Sequence, residues 1–237
     1  MGRISSLIFA VFSLMLPAMV WAQGFGINAT RLIYPQDADS ISVTMRNTMA
    51  NQPYLVQVRI SRSQNSDTPA PFVVRPPLFR LEPGAVNQVR ILAQNANLPT
   101  DRESVFYLQA NAIPASTAPR RDNQQTGVHG TAQFGVGNII KLFYRPTGLA
   151  STSAAAQRGL QFTRVSGGLK VTNPSPYHVS FATLHVGGQA LKLDVPEALM
   201  LAPFGSHTFL TAKTGGLVRW KTINDDGGVD AFEQSLP

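Results

Sequence analysis

Cysteine is absent from all 237 residues, so no disulfide framework, thiolate nucleophile or thiolate metal ligand is available. Each folded unit must be held by its core and its hydrogen-bond ladders. Charged side chains make up only 14% of the chain. They are dispersed, with no zinc-finger, helix-turn-helix or RNP-like pattern, which argues against a nucleic-acid partner. His129, His178, His185 and His207 lack metal-ligand spacing. The chain has no G-x-S-x-G elbow, zincin motif or phosphate-cradling loop. The acidic pairs Asp37/Asp39 and Asp225/Asp226 do not by themselves establish opposed catalytic carboxylates. No enzymatic activity, metal or cofactor is therefore expected.

Long apolar runs are also scarce. Leu7–Leu16 is too short to span a bilayer stably. With Arg3 before it and Val20 and Ala22 after it, the run makes residues 1–22 a signal peptide, with the mature chain starting near Gln23. Export is expected, without stable membrane insertion. Beyond that segment, 19 Lys and Arg face 13 Asp and Glu, a formal charge of +6. Residues 23–145 carry 12 basic and 7 acidic side chains, whereas 146–237 carry 7 and 6. The basic first half suits an anionic partner or a carboxylate.

What the sequence has in quantity is alternation. Ile41, Val43 and Met45 alternate with polar residues; Tyr54, Val56, Val58 and Ile60 share one face, as do Phe106, Leu108, Ala110 and Ala112. A period of two marks half-buried strands, and the Asn-, Asp-, Ser-, Pro- and Gly-rich segments between them mark turns. No sustained helical period competes, and Ala150–Gln157 reads as a surface excursion more than a helical turn. Many short strands imply sandwiches. The Pro- and Gly-containing passage after Tyr144 divides the chain into a first domain over 23–146, a linker over 147–159 and a second domain over 160–237. In the second half, strands are expected at Leu160–Arg164, Leu169–Asn173, Val179–Val186, Leu191–Leu193, His207–Leu210 and Leu217–Ile223.

Several blocks resemble the periplasmic chaperones of the chaperone–usher pilus pathway. They are Thr30-Arg31-Leu-Ile-Tyr-Pro35, Pro76-Pro-Leu-Phe-Arg80 with Leu81-Glu82-Pro83, Asp101-Arg-Glu-Ser104, Ile140-Lys-Leu-Phe-Tyr-Arg-Pro146, Asn173-Pro-Ser-Pro-Tyr177 and Ile223-Asn-Asp225. They occur in the family's order across nearly the whole mature chain. The resemblance implies two immunoglobulin-like β-sandwich domains set at an angle, in the periplasm. It also implies ATP-independent capture of pilus or fimbrial subunits and their delivery to an outer-membrane usher. Arg31 and Lys141 would bind the subunit's terminal carboxylate, which an arginine fork and an ammonium can do through charge-assisted bonds.

The resemblance further implies that a strand carrying Ala132, Phe134, Val136 and Asn138 on one face completes the subunit's fold by strand addition. Phe134 and Val136 are the strongest anchors there; Ala132 is small for its place, and Gly135 and Gly137 weaken intrinsic strand preference. Glu103, Arg145 and Asp225 would form an ionic network between the domains, with Asp226 competing for the place of Asp225. The passage from Tyr107 to Thr131 is short and cysteine-free, like the family's short-loop branch. An exposed apolar edge predicts a self-capping homo-oligomer when no subunit is bound. The alternatives are a secreted immunoglobulin-like structural or adhesive subunit, or a hydrolase on an all-β scaffold.

Overall fold

The computed structural model describes residues 23–66, 68–94, 97–115 and 134–236. The expected signal segment 1–22 and the donor-strand candidate Ala132 lie outside the described residues. No described helix is long and apolar enough to cross a membrane.

The alternating segments form two sandwiches, each with a core of its own. In the first, one sheet holds β1 (Phe25–Ile27), β3 (Ile41–Asn47), β7 (Val86–Ala93) and β5 (Phe72–Arg75), in that spatial order. The facing sheet runs β2 (Arg31–Pro35), β9 (Val136–Arg145), β8 (Ser104–Pro114), β4 (Tyr54–Ser61) and β6 (Leu78–Leu81). The inward-facing residues of both sheets, among them Val43, Met45, Val56, Val58, Val89, Ile91, Leu108 and Leu142, are buried in one apolar cluster. The chain changes sheets between β1 and β2. As a result β2 lies parallel to β9 while the other strand pairs are antiparallel. This crossing places Arg31 beside Lys141, 110 positions later in the chain.

The second sandwich packs β10 (Gln161–Val165), β11 (Gly168–Thr172) and β15 (Ser206–Leu210) against a larger sheet. That sheet holds β12 (Val179–Val186), β13 (Gln189–Ala190), β14 (Met200–Leu201), β16 (Gly216–Ile223) and β17 (Val229–Leu236). Leu169, Val171, Val179, Leu184, Val218 and Trp220 centre its core. Two buried asparagines secure strand ends, one in each sandwich. Asn47 Nδ2 donates to the carbonyls of Gln52, Leu81 and Glu82, and Asn173 Nδ2 donates to those of Tyr177 and Ala202. Each Oδ1 accepts the N–H two residues on, from Met49 and Ser175, so little polar capacity is left unmet.

Residues 153–158 are helical, where the sequence favoured a surface excursion. The helix α1 (Ser153–Arg158) is capped by Thr152, whose hydroxyl accepts from the Ala155 N–H. It buries Ala156 in the second core. Its Gln157 carbonyl accepts from Trp220 Nε1, and Gln157 Oε1 accepts from the Thr222 hydroxyl. A six-residue helix has too short a period to be legible in sequence; tertiary packing holds it. A second short helix, α2 (Pro196–Leu199), precedes β14. Leu191, expected in a strand, is buried just after β13, where its N–H donates to the Leu184 carbonyl and extends the pairing with β12 by one residue.

Candidate functional site

Arg31 and Lys141 are direct partners in the parallel register of β2 and β9. Their neighbours Leu32 and Leu142 point into the first core, so both cationic side chains point away from it, toward the second sandwich. Arg31 Nη1 donates to the Ile223 carbonyl at 2.8 Å, and its guanidinium lies 5.6 Å from the centroid of the Phe143 ring. Its Nε is buried without a hydrogen-bond partner. Lys141 has no hydrogen bond or ion pair among the described residues.

Both charges are held in a poor solvent for cations. Burial, followed by repulsion from Arg31, pushes the Lys141 ammonium below its ordinary pKa. Burial also lowers Arg31, against the attraction of Asp225 and Glu103. Two desolvated cations thus stand side by side with no carboxylate among the described residues bonded to either, and one keeps an orphan donor.

The same strand offers an incomplete edge. β8 pairs with β9 along Val136–Tyr144, but β2 reaches it only from Lys141 to Arg145. From Val136 to Ile140 the second edge of β9 is therefore unpaired among the described residues. Residues Val136, Asn138 and Ile140 share the core-facing side with Leu142. Ile140 still packs against the first core. Farther out, Val136 is 42% exposed and Phe134, just before the strand, is 83% exposed. Thus Phe134, Val136 and Asn138 follow one line beyond the end of the home core, with Ala132 outside the described residues. The glycines on this line have a packing reason. A Cβ at Gly137 would stand 3.0 Å from Asn111 Oδ1, and one at Gly135 would stand 3.3 Å from the Ala112 carbonyl. They let β9 lie close against β8, at some cost in strand propensity.

Glu103, Arg145 and Asp225 meet where the sandwiches touch. Arg145 Nε donates to Glu103 Oε1 at 2.7 Å, while Nη1 and Nη2 bind Asp225 at 2.8 and 3.0 Å as a fork. Asp226 is exposed and takes no part in the cluster. Burial alone would lower the Arg145 pKa, but hydrogen bonds and attraction from Asp225 and Glu103 outweigh it and raise the net value. Burial raises the Asp225 carboxyl, yet the bonds from Arg145 and Ser153 and the positive potential of Arg145 and Arg31 hold it below its ordinary value.

Further contacts complete this junction, and among their residues Ser153, His178, Phe204 and Gly227 lie outside the blocks that carry the resemblance. The Ser153 hydroxyl donates to Asp225 Oδ1, the His178 N–H to Glu103 Oε2, and the Glu103 N–H to the Pro176 carbonyl. The Tyr177 ring lies 5.2 Å from the Arg145 guanidinium, and Arg102 covers Phe204 at 5.0 Å. Gly227, at φ +83°, allows its turn to press against Thr30. Among the described residues no cluster of His, Asp and Glu is arranged to hold a metal.

Known proteins share this pattern over most of the chain. Residues 24–150 match the family described as "Pili and flagellar-assembly chaperone, PapD N-terminal domain", and residues 155–234 match "Pili assembly chaperone PapD, C-terminal domain". The chaperone protein FocC of Escherichia coli is 36% identical over 209 residues, covering 87% of each chain. The E. coli chaperone DraB superposes with a TM-score of 0.76 at 33% identity, over 90% of this chain and 99% of its own. A chain of the Salmonella enterica SafA pilin–SafB chaperone complex superposes with a TM-score of 0.75 at 28% identity, over 93% of this chain and 100% of its own. The chain belongs to the PapD family: it is a periplasmic chaperone of fimbrial assembly and not an enzyme.

Proposed function

We propose that Arg31 and Lys141 anchor the C-terminal carboxylate of a fimbrial subunit at the foot of an open strand edge. The observation that carries this reading is the meeting of two desolvated, adjacent cations with the unpaired stretch of β9. An extended chain rises about 3.3 Å per residue, so an anchor at Lys141 places Val136 roughly 17 Å away and Phe134 roughly 23 Å away. A subunit segment fixed there by its terminus lies along the edge in one register. Main-chain hydrogen bonds then supply pairing, and alternate side chains supply specificity.

Phe134 and Val136, flanked by Ala132 and Asn138, fill the groove of a subunit that lacks a strand. Glu103, Arg145 and Asp225 fix how the two sandwiches meet, and so hold the anchor opposite the second domain. Release follows exchange for another strand at an outer-membrane usher. In the absence of a subunit, the open edge favours capping by a second copy.

The reading is tested by co-purifying subunits encoded beside this gene from periplasmic extract, using wild type, Lys141→Ala and Phe134→Asp. Both variants are expected to fold, by circular dichroism, and to lose the subunit. Equal recovery with all three would remove the roles given to Lys141 and Phe134.

A further inference from the structure

The other broad side of the first sandwich carries charge that this mechanism leaves unused. On the sheet of β1, β3, β7 and β5, residues pointing away from the core include Arg46, Arg90 and Arg75, all exposed. Arg75 and Arg90 are direct cross-strand partners. Like charges placed opposite each other are unfavourable, and uncharged Ser42 on β3, the other partner of Arg90, does not relieve them. Arg46 lies over Gly26, its own partner on β1.

None of the three guanidinium groups forms a hydrogen bond or ion pair with a described residue. The outward positions of these four strands include no Asp or Glu. Aliphatic side chains lie among the cations. Val86 faces Arg46 and is 65% exposed, and Leu92 pairs with Val73 beside the Arg75–Arg90 pair.

We infer that this face docks the chaperone on an anionic phospholipid surface. The guanidinium fork matches phosphate, and eleven of the twelve basic residues in 23–145 are arginine. Arg46 lies four residues along the strands from the Arg90 level, roughly 13 Å away. Over such a broad sheet face a rigid acidic protein would need carboxylates at matching positions. Lipid headgroups move laterally and satisfy any spacing, and the interspersed Val86, Val73 and Leu92 suit the interfacial zone between headgroup and acyl chain.

The face lies across the sandwich from Arg31 and Lys141. A docked molecule therefore keeps its anchor and its open β9 edge free. The site serves capture of a subunit at the membrane surface, but its own test does not depend on subunit binding.

The experiment is co-sedimentation of empty chaperone with vesicles of phosphatidylglycerol and phosphatidylethanolamine, against vesicles of phosphatidylcholine alone. Wild type should partition onto the anionic vesicles, not onto the zwitterionic ones, and should leave them when ionic strength is raised to several hundred millimolar. Each arginine contributes about five-fold, so Arg46→Gln/Arg75→Gln/Arg90→Gln should weaken partitioning on the order of a hundred-fold. That variant should still bind subunit. Arg31→Gln/Lys141→Gln should partition like wild type. The inference is overturned if wild type ignores anionic vesicles, if the triple variant binds them as well as wild type, or if the Arg31/Lys141 variant accounts for the loss. Retention on immobilised poly-glutamate without retention on vesicles would assign the face to an acidic protein and overturn it equally.

Discussion

Replacing Arg145 by alanine removes the cation shared by carboxylates from both sandwiches, and the structure sets the size of the effect. Glu103 has a side chain only 2% exposed, so it cannot regain water when its partner is lost. It keeps the bond from the His178 N–H but loses the one from Arg145. Asp225 is 37% exposed and rehydrates more easily, while keeping the Ser153 hydroxyl. Breaking a buried pair from one side costs about 3–5 kcal/mol, and the surviving bond to Glu103 places this case near about 3 kcal/mol. Most of that cost is the stranded Glu103 charge rather than the attraction itself. Adding Glu103→Gln to Arg145→Ala should therefore return about 1–2 kcal/mol. The assay is urea unfolding followed by the fluorescence of Trp220, which is buried in the second core next to Phe162. A loss below about 1 kcal/mol in the single variant, or a double variant no more stable than the single, would refute the reasoning.

Four further outcomes are expected. Lys141→Met removes a desolvated cation facing Arg31, so the empty chaperone should gain about 0.5 kcal/mol while subunit affinity falls roughly 10- to 150-fold, measured by urea midpoint and by calorimetry. In wild type the folded Lys141 pKa is depressed, so the unfolded chain binds more protons below the ordinary value of 10.5; stability should rise with pH through that window, and the rise should vanish in Lys141→Met. The Asp225 carboxyl is depressed below its ordinary 3.8, so its contribution should be complete above that value and lost as pH falls through the lower folded value; acid unfolding of Asp225→Asn should lack that step. Phe134→Asp should leave the unfolding midpoint within about 0.5 kcal/mol of wild type, because the side chain is 83% exposed, yet should abolish subunit recovery.

Much of this architecture was legible from alternation. Tyr54, Val56, Val58 and Ile60 all enter the first core, as do Phe106, Leu108, Ala110 and Ala112, because one-sided burial imposes a period of two. β17 gave no such signal. It is an edge strand whose polar run Glu233-Gln234-Ser235 is exposed, with Phe232 stacked on Trp220 and Leu236 buried at its end. The juxtaposition of Arg31 with Lys141 could not be read from spacing either. It arises from the change of sheet between β1 and β2, a tertiary event that only the resemblance anticipated. Asp225 rather than Asp226 meets Arg145 because of the turn at Asn224–Gly228, closed by the Asn224 N–H to the Gly228 carbonyl and the Gly227 N–H to the Asn224 carbonyl. Its left-handed Gly227 sets which carboxylate points inward, and local sequence could not decide between adjacent aspartates. The unpartnered Arg31 Nε and Lys141 are conspicuous only once burial is known.

The most direct test of the carboxylate anchor compares two synthetic peptides of a cognate subunit's last strand, one ending in a free carboxylate and one in a carboxamide. Wild type should bind the carboxylate form roughly 10- to 150-fold more tightly, and Lys141→Met should lose most of that preference. Equal affinity of wild type for the two peptides would contradict the anchor at Arg31 and Lys141.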